Sequence, residues 1–172
     1  RPLYELGSME IEAPPVILTD MIASAFAPKV GEPIVAERIL AAEANLKVVL
    51  PEHGYPFVDL GQRDILLDTT SHEGAYTLPV KPGPRSRFGD IVVSGRKPVF
   101  KPAHIAKIAR FKKGELYDSR KVDDLRQALV ATGLLGTVSV QARPTGEDAG
   151  GDAQYAQIDV EQEAGPPRTL SA

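Results

Sequence analysis

The 172-residue chain contains no cysteine. Disulfides, zinc–thiolate sites and thiol nucleophiles are thereby excluded, although no redox compartment is assigned. No apolar run approaches the ~20 residues of a helical membrane span, and the N-terminus shows no signal-peptide pattern. An excess of positive charge is missing too. The net charge is −3 and the pI about 5.7, which argues against nucleic acid as a partner. Histidine is scarce: His53, His72 and His104 are scattered, and no Ser/Asp/His or Glu/His grouping has useful local spacing. Composition therefore points to no enzyme, no metal and no cofactor.

What the chain does contain is repetition. Pro2, Pro84 and Pro166 lie 82 residues apart, Gly7 and Gly89 share that offset, and so do Gly83 and Gly165. Met9 and Ile11 fall on Ile91 and Val93. A fixed period of this kind means tandem copies of one small unit. The first copy starts partway through its period, at Arg1-Pro2, so an upstream targeting segment is compatible with the sequence.

Each copy reads β-α-α-β-β. In the first, residues 3–11 form a strand stopped by Ala13-Pro14-Pro15, and Thr19 or Asp20 caps a short helix to Phe26. A longer helix covers about 34–50, with Val35, Ile39, Ala42, Leu46 and Val49 inward and Glu37, Arg38 and Glu43 between them. Pro51 and Gly54 stop it. A strand over 57–67, bulged near Gly61, and another over 75–80 complete the copy. Pro82-Gly83-Pro84 is the interdomain linker, its prolines restricting the range of angles.

The second copy has a strand at 88–94, a short helix at 102–110 and a long helix at 119–132 capped by Asp118 or Ser119. Strands over 137–143 and 155–160 follow, joined by a polar hairpin loop at 145–152. Gly31 to Gly54 spans 23 residues and Gly114 to Gly133 spans 19. The first long helix should therefore be longer by about one turn of ~3.6 residues.

Chemistry-bearing residues read as structural. Asp123-Asp124 are adjacent on a helix, point about 100° apart and read as a solvated face near the helix start. Gly133-x-x-Gly136 matches the GxxG loop of KH domains, but that loop lies between helices, whereas here it precedes a strand. Lys107, Arg110, Lys112, Lys113, Arg120 and Lys121, interleaved with Ile108 and Phe111, read as a solvated basic face. A surface near anionic lipid headgroups is the alternative.

Pro82-Gly83-Pro84-Arg85-Ser86-Arg87-Phe88-Gly89-Asp90-Ile91-Val92-Val93-Ser94-Gly95 resembles the junction between POTRA (polypeptide-transport-associated) domains. Lys113-Gly114-Glu115-Leu116-Tyr117, then Leu125, Leu129, Thr132-Gly133-Leu134-Leu135 and Val138, resembles the core of one such domain. His53-Gly54-Tyr55-Pro56 is similar to the Gly-Tyr pair ending the family's long helix. Leu134 departs from the aromatic usual there, at a site expected to be buried.

The resemblance, most like the TamA family, implies an α+β fold: two tandem modules, each a three-stranded mixed sheet covered by two helices. The expected domains are 1–83 and 84–165, with 166–172 starting the next unit, an outer-membrane barrel. The resemblance also implies a non-enzymatic arm on the periplasmic face of the bacterial outer membrane. Its partners would be unfolded outer-membrane protein clients, an inner-membrane-anchored periplasmic protein (TamB-like) and the chain's own C-terminal barrel. Clients would add as a strand to the edge formed by Thr137, Val138, Ser139, Val140, Gln141, Ala142 and Arg143. In that strand Val138, Val140 and Ala142 would face the helices. Alternatives are the POTRA region of another assembly or two-partner secretion transporter, or a spacer docking one fixed partner.

Overall fold

A computed structural model describes residues 3–12 and 19–166. The expected stop at Ala13-Pro14-Pro15 and residues 167–172 lie outside the described residues. The chain divides into two compact units between Gly83 and Pro84, with Glu52–Pro56 grouped with the second.

The first unit is built from β1 (Glu5–Glu12), α1 (Thr19–Ala25), α2 (Ala36–Glu52), β2 (Asp59–Leu60), β3 (Asp64–Asp68) and β4 (Glu73–Lys81). β4 is central, parallel to β1 on one side and antiparallel to β2 and β3 on the other. Alternation along β4 buries Gly74, Tyr76, Leu78 and Val80, as expected of a sheet covered on one face. α2 buries Ile39, Ala42, Leu46 and Leu50 at helical spacing. Pro51 does not stop α2, which runs through it to Glu52. A proline in the last turn removes a single helical hydrogen bond, and the reversal falls at Gly54, φ +99°.

β2 and β3 share the place of one broken strand. Leu60 faces Val80 and Asp64 faces Thr77, so residues 61–63 span only 78–79. The extra residue is a bulge at the expected Gly61. Opposite it stands Pro79, which has no N–H to give the ladder.

Arg63, in this bulge, reaches back to α2. Its Nε and Nη2 donate to the two carboxylate oxygens of Glu43 at 2.7 and 2.8 Å, and Tyr76 Oη donates to Glu43 Oε2 at 2.8 Å. The sequence pattern places Glu43 among exposed positions, yet it is only 7% exposed. Paired hydrogen bonds offset its desolvation. The Arg63 hydrogen bonds, outweighing burial, hold the Glu43 carboxyl below the usual carboxylate range. Burial, then Glu43, raises the Tyr76 phenol far above its own.

A pH dependence follows. Because the folded-state pKa of Glu43 is depressed, its contribution is fully present above the unfolded value of ~4.3 and is lost as pH falls through the lower folded value. The urea midpoint of the first unit should drop below about pH 4 in the native chain and less steeply in Glu43→Gln. Parallel pH profiles for the two proteins would refute the assignment. At neutral pH, Glu43→Ala orphans the buried Tyr76 hydroxyl and should cost about 1–3 kcal/mol.

The second unit contains β5 (Arg85–Ser94), α3 (Pro102–Ile108), α4 (Ser119–Ala131), β6 (Leu135–Gly150) and β7 (Ala153–Ala164). The sheet order is β5-β7-β6, with β5 parallel and β6 antiparallel to β7. Asp118 is the N-cap of α4, its side chain accepting the Arg120 N–H at 2.9 Å. α4 has 13 residues against 17 in α2, the expected single turn. Phe88 anchors the core, stacked on Phe111 at 3.9 Å and tilted against Tyr117 at 5.2 Å.

The two modules repeat at the level of single hydrogen bonds. Leu6 N–H donates to Glu32 O, Gly31 N–H to Leu6 O, and Ile34 N–H to Tyr4 O. In the second module Phe88 N–H donates to Glu115 O, Gly114 N–H to Phe88 O, and Tyr117 N–H to Ser86 O. Gly7 and Gly89 both mark register shifts, in β1 and β5 respectively.

Candidate functional site

Those repeated bonds cover part of one sheet edge. In the second module the segment 114–117 lies along the start of the outer edge of β5 and takes up backbone groups of Ser86 and Phe88. In the first module residues 31–34 do the same to Tyr4 and Leu6 at the start of β1. The opposite edge belongs to β6 in one module and to β2 and β3 in the other, each paired, among the described residues, with the central strand alone. An edge of unpaired N–H and C=O groups is a template for a further strand.

β6 is longer than the sequence suggests. Its regular part, Thr137–Pro144, pairs without a register shift to Glu163–Ala156 and is flanked by bulges. The expected loop at 145–152 is instead mostly strand, closed by a turn at Gly151-Asp152 with φ +97° at Gly150 and +60° at Gly151. Thr145 Oγ1 donates to Tyr155 O across the two strands at 2.6 Å, which keeps the extension paired. Pro144 is therefore inside the strand. Thr137, Gln141 and Arg143 are exposed, while Val138, Ser139, Val140 and Ala142 are half-buried. Arg143 pairs with Asp159 of β7 at 3.1 Å.

β3 carries a signal that the sequence reading missed. In Asp64-Ile65-Leu66-Leu67-Asp68 the adjacent Leu66 and Leu67 are 65% and 54% exposed. An edge strand that shows apolar side chains on both faces is one that folded proteins ordinarily blunt. Beside it a groove of about 340 Å³ is lined by Gly7, Ser8, Leu66, Leu67, Ser71 and Glu73.

Other singled-out residues fall elsewhere. Pro82, Gly83 and Pro84 lie between β4 and β5, where Gly83 has φ +70° and the Phe57 carbonyl oxygen stands 3.0 Å from where a Cβ would be. Gly133, φ +72°, ends α4, and Gly136 opens β6. Leu134, expected to be buried, is 53% exposed, unlike Tyr55 in the first copy. Its backbone carbonyl accepts the Gly165 N–H. His72 meets Tyr4 edge-on at 5.9 Å and His104 stacks on Phe100 at 5.3 Å. Asp123 is taken up by Arg126 and Gln127 on the helix surface. Among the described residues no group of three or more His, Asp or Glu can hold a metal, and no helix is long and apolar enough to cross a membrane.

A tandem α+β repeat that presents backbone edges defines the class. Residues 86–162 match the family model for POTRA, surface antigen variable number repeat. Both modules have the POTRA fold. Among solved structures, the chain resembles POTRA domains 3–5 of BamA from Haemophilus influenzae at 21% identity and TM-score 0.69, covering 92% of this chain and 61% of that one. BamA from Haemophilus ducreyi lacking POTRA domains 1–3 matches at 16% identity and TM-score 0.69, covering 93% and 30%. POTRA domains 1–2 of the periplasmic domain of Omp85 from Anabaena match at 12% identity and TM-score 0.55, covering 91% and 95%. The chain thus spans 61% and 30% of the two BamA chains. No curated protein matches it in sequence.

Proposed function

We propose that the chain is the periplasmic POTRA arm of a TamA-like outer-membrane barrel assembly or translocation factor. It receives unfolded client polypeptides by strand addition and scaffolds the barrel. The observation that carries this reading is the outer edge of β6 over Thr137–Arg143, which pairs only with β7 among the described residues, whereas the start of the opposite β5 edge is taken up by 114–117. Backbone pairing at such an edge gives affinity with little demand on sequence, as many clients require. The modules are taken as 1–83 and 84–165 with Pro82-Gly83-Pro84 as linker, and a TamB-like protein and the chain's own barrel are the fixed partners. The mechanism needs no catalytic residue.

Titrating extended barrel-derived peptides should shift the backbone amides of Thr137–Arg143, with weak and sequence-tolerant affinity. The β3 edge should respond too, and Leu66→Lys should weaken its response by about three- to tenfold, the equivalent of a lost apolar contact of ~1 kcal/mol. Shifts confined to Val122–Leu129 of α4 would reject strand addition. One tight, specific partner with no peptide binding would instead make the chain a spacer.

A further inference from the structure

The basic cluster takes a different outline in three dimensions from the one its sequence suggests. Lys113 pairs with Asp90 at 3.0 Å, Arg120 with Asp118 at 2.9 Å, and Lys121 with Glu115 at 3.4 Å. These three charges are locally spent. Arg96, Lys97, Lys101, Lys107, Arg110 and Lys112 are all exposed, and none forms an ion pair among the described residues. From Ile91 to Gly114 the chain carries seven of its 20 lysines and arginines and none of its 23 acids. Six cations without an ion pair among the described residues thus follow one another between Arg96 and Lys112 in the second unit.

The loop that begins this run is held in shape from below. Gln162 is fully buried in β7. Its Oε1 accepts the N–H groups of Val99 and Phe100 at 3.1 and 3.0 Å, and its Nε2 donates to Phe100 O at 2.7 Å. Gly95, φ +121°, starts the loop against the Gln162 backbone. The clamp fixes the backbone of 99–100 while the apolar side chain of Val99 remains 39% exposed. On α3, Ile105 is buried, whereas Ala103, Ala106 and Lys107 are exposed. Nearby, a groove of about 450 Å³ is lined by Ile91, Pro102, Ala106, Phe111, Lys112 and the paired Asp90 and Lys113.

We propose that this surface, from Arg96 to Lys112, docks on an anionic lipid bilayer. Four of its six free cations are lysines, compact charges on flexible stems that suit a layer of headgroups rather than one forked acceptor. Exposed Val99 gives the surface an apolar side chain to place at the acyl boundary, for which a soluble acidic segment has no use. The rigid loop meets the membrane with its ordering entropy already spent.

The test is co-sedimentation of the chain with vesicles of phosphatidylcholine, alone or with about one-third phosphatidylglycerol, at low and high salt. Binding is expected only to the anionic vesicles and should fall with salt. The triple variant Lys97→Gln, Lys101→Gln, Lys107→Gln should bind about a hundredfold more weakly, each cation near an anionic surface contributing roughly fivefold. These side chains are exposed and unpaired, so circular dichroism should show the fold unchanged. Val99→Asp should weaken binding several-fold at every salt concentration, and Lys47→Gln with Lys81→Gln in the first unit should leave it within about twofold. Equal binding to neutral vesicles, or an unaltered triple variant, overturns the proposal. So does tight binding to polyglutamate without binding to vesicles, which would make an acidic polypeptide the partner.

Discussion

Phe88→Ala should cost the second unit about 3–5 kcal/mol, enough to unfold a domain of ordinary marginal stability. The ring is fully buried between Phe111 and Tyr117. The same residue's backbone exchanges hydrogen bonds with Gly114 and Glu115, so collapse of the cavity would pull the 114–117 segment off the edge of β5. Denaturant titration followed by amide resonances should show the resonances of β5–β7 losing dispersion at a much lower midpoint. Phe88→Leu is the informative companion. Leu6 occupies the matching place in the first module, with the same pair of backbone bonds, so leucine should keep most of the stability, at a cost under about 1.5 kcal/mol. A loss below about 1 kcal/mol for Phe88→Ala would show that the aromatic stack is not the anchor of this core.

Gly95→Ala should be nearly as damaging. A Cβ at this position collides with the carbonyl oxygen of Gln162, which is backbone and cannot swing aside. The φ of +121° is also one that L-residues avoid. Either the loop or the end of β7 must move, and about 3 kcal/mol or more is expected from strain together with the broken Gln162 bonds. Hydrogen exchange at the Val99 and Phe100 amides should accelerate together with the fall in the denaturation midpoint. Gly146→Ala provides the contrast: its φ is +73° but nothing lies within 4 Å of the added atom, so only the left-handed penalty of about 1–2 kcal/mol applies. Equal losses at the two sites would mean that the close approach at Gly95 is unimportant.

How much of this was legible in the sequence depended on whether the signal was local. The 82-residue period, the β-α-α-β-β order, the Asp118 cap and the one-turn excess of α2 rest on glycine, proline and apolar spacing, and they are found in the fold. Glu43 was misplaced because helical periodicity sees only residue type, whereas its burial is secured by Arg63 and Tyr76, 20 and 33 positions away. The continuation of β6 past Pro144 was hidden because a Gly-rich polar stretch reads as loop until β7 supplies its partner. At the candidate site, the edge position of 137–143 came only with the resemblance to POTRA domains, since no local pattern tells an edge strand from a central one. The exposed leucines of β3 went unseen, since Leu66 and Leu67 look like ordinary core in one dimension. The Gln162 clamp joins residues 62 and 63 positions apart and has no local signature at all.

In both modules the first strand lies parallel to the last. Glu5 pairs with Glu73, and Arg85 with Ala153. A chain delivered N-terminus first therefore cannot complete either sheet until the end of that module has arrived. β1 must wait for β4, and β5 for β7. The β6–β7 hairpin can close locally, but the parallel pairing must close a loop of nearly the whole module, an entropic cost that comes before any packing returns it. The last strand of each module is thus the latch of its sheet: the first strand has no partner until that strand is available.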